Sequence, residues 1–509
     1  MIARRRPLGV AIALSQIVAF TATSSALAAD PAGPFTYHEV NVLGTSLDLH
    51  VAALTQGDGD KAHAAVMAEV ERLRKILSTY DAGTDLGQVN ATRQPVKVSR
   101  EVIDVLALYD RWLIASNGAF SGRIGALIAA WKNAATTGKM PDKSAIAALV
   151  AAEHNPLWKL DEAAGTVQRL SDQSINIDSL GKGFIVSRAA AAGMAATPGV
   201  KGVLLNIGGD ITALGSSSRT AAQDWSVDVA DPANPAENAT ALVSVKISNL
   251  SIATSGSAER GYTVGQTRLS HILDPRSGYP IDSADAPGGK HNPLIASATV
   301  IARDNATANA LATTLCVLSP ADGIALIREN PGTDALIVAA DGTQIRSDGF
   351  KKYETISAAA AAKGWPGGYQ VSLTFQQNTT IRERPYMAFW VEDAKGQHVV
   401  TLGEWGNGRW INSLQRWWRF ATQNQSLVRA VSRPTRQAGK YTLTWDGKDQ
   451  SGNVVAPGVY RICIEAAYDH SGHSITSTTI VCGDKPTNAT LGATQHVDSA
   501  TLSYAPKAK

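Results

Sequence analysis

The chain has 509 residues, of which 44% are hydrophobic and 18% are charged, and its formal net charge is +3. This length favours more than one domain, and this composition excludes a largely disordered chain. Because the net charge is small and no basic cluster is interleaved with aromatic residues, nucleic acid is not expected as a partner.

Residues 1–28 have the three parts of a secretory signal peptide. "MIARRRPLG" supplies the positive segment, "VAIALSQIVAF" the apolar core, and "ALA" at 26–28 the cleavage site. The apolar core is too short to span a bilayer. The arginines also suggest twin-arginine export, but Pro7 takes an apolar place of that signal, so we expect ordinary Sec-type secretion. The sequence predicts an exported, periplasmic protein whose mature chain has no transmembrane segment.

Helix and strand patterns are mixed in the predicted first domain, residues 35–355. "KAHAAVMAEVERLRKIL" and "REVIDVLALYDRWLIAS" carry apolar residues at helical spacing, whereas "GVLLNIGG" and "IASATVIA" are typical of buried strands. We therefore expect an α/β domain, followed by an Ala/Gly-rich linker at 356–368.

The predicted second domain, residues 369–505, consists mainly of strand patterns separated by Gly, Asn, Asp and Pro turns. The runs are "YQVSLTF", "YMAFWVED", "HVVTLGEW", "KYTLTWDG", "GVYRICIEAAY" and "HSITSTTIV". They predict an all-β sandwich of immunoglobulin-like type. Cys463 and Cys482 lie in neighbouring runs, where export would allow a disulfide; two buried free thiols are the alternative. Cys316, in an apolar helical pattern, is predicted to be a small buried residue.

The stretch "SINIDSLGKGFIVSRA", residues 174–189, places Lys182 between two glycines. We expect a strand, a tight Gly-Lys-Gly turn and then a helix, an arrangement in which backbone N–H groups and a cation could bind an anion together. The alternative is an ordinary turn with a solvated lysine. The spacing of a P-loop is absent.

Six further stretches are unusual for a pure scaffold. They are "ILSTYDAGTDLGQVN", "SNGAFSGRIGAL", "LNIGGD", "IATSGSAERGY", "RLSHILDPRSGYP" and "NATANALATTL". In the last of them, Asn309 and Thr313 are one helical turn apart, so both side chains share a helix face. In this order the stretches resemble the ApbE-type flavin transferases, from about Asn41 to Glu354.

That resemblance implies an α/β fold related to the T-fold and the activity of an FAD:protein FMN transferase. Such an enzyme cleaves the pyrophosphate of FAD and joins FMN through a phosphodiester to a threonine or serine of an acceptor protein. The resemblance also implies a bound Mg²⁺ ion and an acceptor that belongs to a membrane or periplasmic redox complex.

The resemblance implies roles for individual residues as well. A cation at Lys182 would suit the pyrophosphate charge, and the ring of Tyr80 would stack on the flavin. His271, in the signature H-x-x-D-P, would take the proton of the acceptor hydroxyl; the alternative is a histidine that organises the turn near Asp274. The expected contacts with FAD are Leu43, Tyr80, Ala119, Phe120, Ser121, Arg123, Asn176, Lys182 and Leu273.

The expected metal ligands are the carbonyl of Ser179 and the side chains of Asn309 and Thr313. Neutral residues stand where the family usually has aspartate, at Ser121, Asn176 and Asn309. An amide oxygen is a weaker ligand for Mg²⁺ than a carboxylate, so the sequence predicts a weakened or lost Mg²⁺ site. Arg123 stands where threonine is usual, and it either pairs with a phosphate oxygen of FAD or points to solvent.

Two kinds of function therefore stay open. One is a working flavin transferase that holds its metal mainly through the FAD phosphates. The other is a flavin-binding protein or FAD pyrophosphatase that has lost transfer, with the β domain as an interaction module.

Overall fold

A computed structural model describes residues 33–506, except 235, 240, 257–260, 292, 356–363, 379–383, 407–410, 422–431, 434–435, 437 and 469–471. The predicted signal peptide and most of the predicted linker lie outside these described residues. Within the described part, every helix is too short or too polar to traverse a lipid bilayer.

The helices of the first domain are α1 (Gln56–Leu77), α2 (Asp85–Ala91), α3 (Arg100–Ala115), α4 (Gly125–Thr137), α5 (Lys143–Glu153), α6 (Asp178–Met194), α7 (Asn305–Val317) and α8 (Pro320–Arg328). Its strands are β1 (Phe35–Val42), β2 (Thr45–Ala53), β3 (Val96–Lys97), β4 (Trp158–Asp161), β5 (Thr166–Arg169), β6 (Val200–Ile207), β7 (Asp210–Gly215), β8 (Trp225–Val229), β9 (Val243–Ile247), β10 (Leu250–Gly256), β11 (Gly261–Val264), β12 (Thr267–Ser270), β13 (Leu273–Asp274), β14 (Tyr279–Pro280), β15 (Ile295–Ala302), β16 (Asp334–Ala339), β17 (Gln344–Arg346) and β18 (Glu354–Thr355).

An eight-stranded antiparallel sheet, in the order β1-β2-β6-β7-β10-β15-β16-β17, forms the centre of this domain. Helices α1, α6 and α7 cover one face, and the small sheet β18-β9-β8 covers the other. The main core lies between the sheet and the three helices. The predicted α/β domain is therefore present.

The two helices predicted from apolar spacing are confirmed as α1 and α3. The side chain of Thr55 caps α1 by accepting the N–H of Asp58 at 3.1 Å, and its last turn carries basic residues that suit the helix dipole. Its buried residues lie at helical spacing and face the core: Ala62, Val66, Val70, Leu73 and Leu77. Helix α7 is buried along nearly its whole length, as its low polarity requires.

The expected Gly-Lys-Gly turn is wrong, and so is the strand expected before it. Residues 174–177 are irregular, α6 already begins at Asp178, and Lys182 lies inside the helix. The glycines serve packing instead, because a Cβ on Gly183 would lie 2.8 Å from the side-chain oxygen of Asn305 at the start of α7. Glycine at this position therefore allows α6 and α7 to approach closely.

The second domain is a β-sandwich of two sheets. Its elements are β19 (Tyr369–Gln377), β20 (Tyr386–Glu392), β21 (His398–Trp405), α9 (Gln415–Ala421), β22 (Ser432–Arg433), β23 (Lys440–Trp445), β24 (Gly458–Ala467), β25 (His473–Cys482), β26 (Thr487–Leu491) and β27 (Val497–Pro506). The sheets have the orders β23-β19-β27-β26 and β22-β21-β20-β24-β25, and a separate core lies between them. All six predicted strands are present, whereas the sequence patterns do not predict β22, β26, β27 or α9.

The sandwich domain contains two free cysteines and a tryptophan from the predicted linker. Cys463 and Cys482 are both free and buried, and they pack into different hydrophobic clusters of the domain, so the disulfide is excluded. Trp365, inside the predicted linker, is 3% exposed and stacks edge-on against Trp445 in the sandwich core. The packed sandwich therefore includes Trp365.

Candidate functional site

A cluster of three side chains, two of them buried and one half-buried, lies beside the hairpin that joins β6 to β7. The ammonium of Lys182, on α6, lies 2.7 Å from Oδ2 of Asp210 and donates a hydrogen bond to the carbonyl oxygen of Gly208 at 3.1 Å. Asp210 is fully buried, and its Oδ1 accepts a hydrogen bond from Nδ2 of Asn309 at 2.8 Å. The structure thus joins two residues that the sequence singled out, Lys182 and Asn309, through an aspartate that it did not.

The start of α6 groups three more of the predicted residues. The hydroxyl of Tyr80 donates to Oδ2 of Asp178 at 3.0 Å, and the amide of Asn176 donates to the same oxygen at 2.9 Å. Tyr80 is 83% exposed, so its ring is accessible to a planar ligand. Ser179 follows Asp178 and is also exposed.

Tyr109, on α3, connects the start of α6 to the predicted segment Ala119–Ser121. Its hydroxyl lies 2.7 Å from Oγ of Ser179, and its ring stacks on that of Phe120 at 5.7 Å between centroids. Burial raises the pKa of Tyr109, so the phenol stays neutral. Sequence reasoning missed this residue, because a tyrosine on the apolar face of a helix is usually a core residue.

The loop with the signature "HILDP" is organised by Asp274, which is 5% exposed. The guanidinium of Arg276 donates to both carboxylate oxygens of Asp274, at 2.9 and 2.8 Å, and Nε2 of His291 lies 3.5 Å from Oδ2. Burial alone would raise the pKa of Asp274, but the hydrogen bonds from His291 and Arg276 lower it to about 2. Asp274 is therefore an anion, and Arg276 packs against Gly118, just before Ala119.

The two predicted residues of this segment precede Asp274 by three positions and one position in the sequence. His271 is partly buried between β12 and β13, and Leu273 is buried in β13. His291 was not predicted, because it follows a Pro/Gly-rich segment and no spacing rule relates it to the signature. Leu43 lies in the turn between β1 and β2, which neighbours the Gly208 hairpin through the hydrogen bond from Gly208 N–H to the Ser46 carbonyl at 3.2 Å.

Arg123 is engaged away from the Lys182 cluster. Its Nη1 donates to the carbonyl oxygens of Glu153 and Asn155 at 3.2 and 3.3 Å, and its Nη2 lies 3.9 Å from Asp110. The guanidinium thus caps the end of α5 and does not point to solvent. Both of these hydrogen bonds are made by Nη1, and they hold the guanidinium at the end of α5.

Ser121 is paired with a carboxylate from another helix. Its hydroxyl donates to Oε2 of Glu153 at 3.1 Å. Burial raises the pKa of Glu153 to about 7, although Ser121 and the charge of Arg123 oppose this shift. The acidic side chain of Glu153 therefore lies next to the neutral Ser121 hydroxyl.

Because the pKa of Glu153 is raised in the folded state, the free energy of unfolding is expected to fall as pH rises. Between its ordinary value of 4.5 and about 7, the folded state binds the proton more tightly than the unfolded state. Protonated Glu153 therefore contributes its full share to the free energy of unfolding below pH 4.5. This contribution is lost as the pH rises through the folded-state pKa of about 7. We expect Glu153→Gln, which stays neutral, to melt at a higher temperature than the wild type at about pH 8 and at the same temperature near pH 4.5. Circular dichroism melts across this range, with the exposed Glu162→Gln as control, test this; a difference independent of pH would contradict it.

The candidate metal ligands present neutral oxygens. Asn309 donates its amide N–H to Asp210, and the hydroxyl of Thr313 lies 3.0 Å from that of Ser255. The oxygens of Asp210, the nearest carboxylate to Asn309 by these contacts, are already engaged by Lys182 and Asn309. Among the described residues, no three His, Cys, Asp or Glu side chains form a group that could hold a metal ion. Since Mg²⁺ prefers charged oxygen ligands, this donor set does not fit a firmly held Mg²⁺ ion.

Two solved structures of ApbE proteins share the fold of the first domain. The ApbE protein of Thermotoga maritima superposes with a TM-score of 0.53 at 24% identity, covering 64% of this chain and all of that one. The apo flavinyl transferase ApbE of Pseudomonas stutzeri gives 0.50 at 22% identity, covering 63% and 98% of the two chains. At these identities the likeness shows the fold alone: the first domain is an α/β domain with the fold of these ApbE proteins.

The family follows from the sequence. The model of the ApbE family matches residues 43–337, more than half of the chain, and the chain belongs to this family. A relative from Klebsiella pneumoniae (strain 342), named FAD:protein FMN transferase, is 28% identical over 284 residues, which are 55% of this chain and 83% of that protein. A Treponema pallidum protein of the same name is 28% identical over 298 residues, covering 55% and 78% of the two chains. Residues 368–499 match a second model, described as a predicted periplasmic protein (DUF2271).

Proposed function

We infer that this chain is an FAD:protein FMN transferase carrying a C-terminal β domain. The family membership and the relatives of that name support this activity. The observation that carries it at the site is the position of the Lys182 ammonium, which is fixed at the Gly208 hairpin with one N–H left for a phosphate oxygen. FAD is accordingly the substrate.

In the proposed reaction, the hydroxyl oxygen of an acceptor threonine or serine attacks the phosphorus on the FMN side of the FAD pyrophosphate. A new P–O bond forms, the bond to the AMP phosphate breaks, and AMP leaves with the electron pair. We assign the hydroxyl proton to the imidazole of His271. Lys182 would donate to a phosphate oxygen, and the exposed ring of Tyr80 would stack on the isoalloxazine.

We assign the remaining cofactor contacts to Leu43, Ala119, Phe120, Ser121, Asn176 and Leu273. Arg123 is a weaker candidate, because its guanidinium is bonded to backbone carbonyls. Mg²⁺, when bound, would neutralise pyrophosphate charge near Ser179, Asn309 and Thr313. Because these donors are neutral, we propose that the FAD phosphates supply most of its anionic ligands, and no step above depends on it.

The acceptor is proposed to be an exported or membrane-anchored subunit of a redox complex. The description of the second domain as periplasmic supports this location, and the predicted Sec-type signal at 1–28 would provide the export. The acceptor would present its threonine or serine in the same compartment.

The role of His271 is tested by separating binding from transfer. We expect His271→Asn to lower the transfer rate by about 10²–10⁴-fold, the usual contribution of a general base, while FAD affinity stays within about twofold. Flavin fluorescence of a threonine-bearing acceptor after denaturing electrophoresis reports transfer, and fluorescence quenching of FAD reports affinity. His63→Asn, a change on α1, is the matched control. Transfer at the wild-type rate in His271→Asn would leave the histidine a turn-organising role.

A further inference from the structure

The second domain is docked on the first through the edge of one of its sheets. Strand β23 lies at the edge of the sheet β23-β19-β27-β26. The N–H of Glu237, in the segment between β8 and β9, donates to the Thr442 carbonyl at 2.8 Å. The side chain of Asn238 donates to the Thr444 carbonyl and accepts the Thr444 N–H, both at 2.7 Å. The first domain therefore covers a strand edge that would otherwise present unpaired backbone groups.

A buried ion pair fixes the orientation of this contact. Nη2 of Arg436, from the second domain, lies 3.0 Å from Oε2 of Glu237, which is 3% exposed. The same guanidinium lies over the ring of Trp405 at 5.9 Å. Because separating a buried pair leaves a charge uncompensated, this geometry holds the two domains in one arrangement.

A second arginine of the sandwich reaches the irregular end of β1, next to the turn between β1 and β2. Nη2 of Arg384 donates to Oδ1 of Asn41 at 2.6 Å. Asn41 and Leu43 have φ values of +61° and +49°, in the left-handed region that side chains other than glycine rarely adopt. Such a conformation persists only when its surroundings hold it, and the hydrogen bond from Arg384 is one contact that could do so.

That turn is in contact with the Lys182 cluster. Thr45, directly after the turn, packs so closely on Gly208 that a Cβ there would lie 2.6 Å from its methyl carbon. The carbonyl of Gly208 in turn accepts the hydrogen bond from Lys182. A continuous set of contacts thus runs from Arg384 through the turn and the Gly208 hairpin to the ammonium at the flavin site.

We propose that the C-terminal domain is a positioning element of the flavin site and that Arg384 is its positioning residue. By holding the β1–β2 turn, it holds the Gly208 hairpin and therefore the direction of the Lys182 ammonium. This role rests on the proposed function, because the site positioned is the FAD site. It gives the β domain a part in substrate binding that does not require contact with FAD.

Two substitutions on opposite sides of the contact test the proposal in the full-length protein. Arg384→Ala removes the donor, and Asn41→Gly removes the acceptor while glycine adopts the same backbone conformation freely. We expect each to weaken FAD binding about tenfold, as the loss of one hydrogen bond allows, and the double variant to be no weaker. Arg384→Lys, which keeps a cationic donor, should recover most of the affinity. Arg461→Ala, elsewhere in the sandwich, is the matched control.

Hydrogen–deuterium exchange without FAD supplies an independent measurement. The backbone amides of residues 41–46 should exchange faster in Arg384→Ala and Asn41→Gly than in the wild type and in Arg461→Ala. Unchanged exchange in this segment, or FAD affinity within twofold of the wild type in both variants, would overturn the proposal. Because exchange needs no flavin, a protein that fails to transfer FMN can still show whether the β domain holds the turn.

Discussion

Lys182→Ala is expected to lower the free energy of unfolding by about 3–5 kcal/mol, the usual cost of removing one partner of a buried ion pair. Asp210 is fully buried and would lose the cation 2.7 Å from its carboxylate. The double variant Lys182→Ala/Asp210→Asn should recover most of this loss, since no uncompensated charge remains. Urea denaturation of both variants, with the exposed Lys201→Ala as control, measures the effect.

The same pair of variants separates stability from binding. In the double variant, FAD affinity should remain lower by about 1.5–3 kcal/mol, because the hydrogen bond from a cation to the phosphate is absent. An unfolding midpoint for Lys182→Ala equal to that of the wild type would contradict the ion pair. Wild-type FAD affinity in the double variant would contradict the phosphate contact.

Asn309→Asp is expected to make the stability of the protein depend on divalent cations. The substitution replaces the N–H that Asp210 accepts at 2.8 Å by a second carboxylate oxygen. In the presence of a chelator, we expect the variant to lose about 3 kcal/mol, the upper range for a hydrogen bond to a charged group. Added Mg²⁺ should restore this loss, because two facing carboxylates provide the hard anionic ligands that the wild type lacks.

The charge-exchange variant Asp210→Asn/Asn309→Asp is the matched control. It keeps one carboxylate and one amide in hydrogen-bonding contact, so its stability in chelator should lie closer to that of the wild type. The melting temperatures of both variants and of the wild type, measured with chelator and with Mg²⁺, test this prediction. A melting temperature of Asn309→Asp that is the same in both conditions would contradict a Mg²⁺ site between the two carboxylates.

The sequence predicted those parts of the fold that depend on local periodicity. The apolar spacing of α1 and α3 and the buried run of β15 follow from the chain alone, since burial of one face requires it. The glycines around Lys182 suggest a turn in the sequence, but in the structure they lie inside α6, where Gly183 allows a close helix contact. Glycine is typical of both situations. Only the packing of α6 on α7 distinguishes the two, and packing is set by residues distant in sequence.

The candidate site shows the same limit. Motifs in the sequence indicate Lys182 and Asn309, but their common partner Asp210, at the end of the unusual stretch "LNIGGD", matches no motif. Asp210 contacts Lys182 and Asn309 only because the folded sheet places the start of β7 against α6 and α7. The Ser121 hydroxyl donates a hydrogen bond to the carboxylate of Glu153, which lies on a separate helix. The sequence does not predict this contact, because the two residues are 32 positions apart.

The most direct test of the proposed activity is an account of where the two halves of FAD go. Purified wild-type protein is incubated with FAD, Mg²⁺ and a threonine-bearing acceptor, and AMP, free FMN and acceptor-bound FMN are quantified by chromatography and mass spectrometry. A flavin transferase releases one AMP for each FMN covalently attached to the acceptor, and this is the result that we predict. AMP accompanied by free FMN, or FAD recovered unchanged, would contradict it.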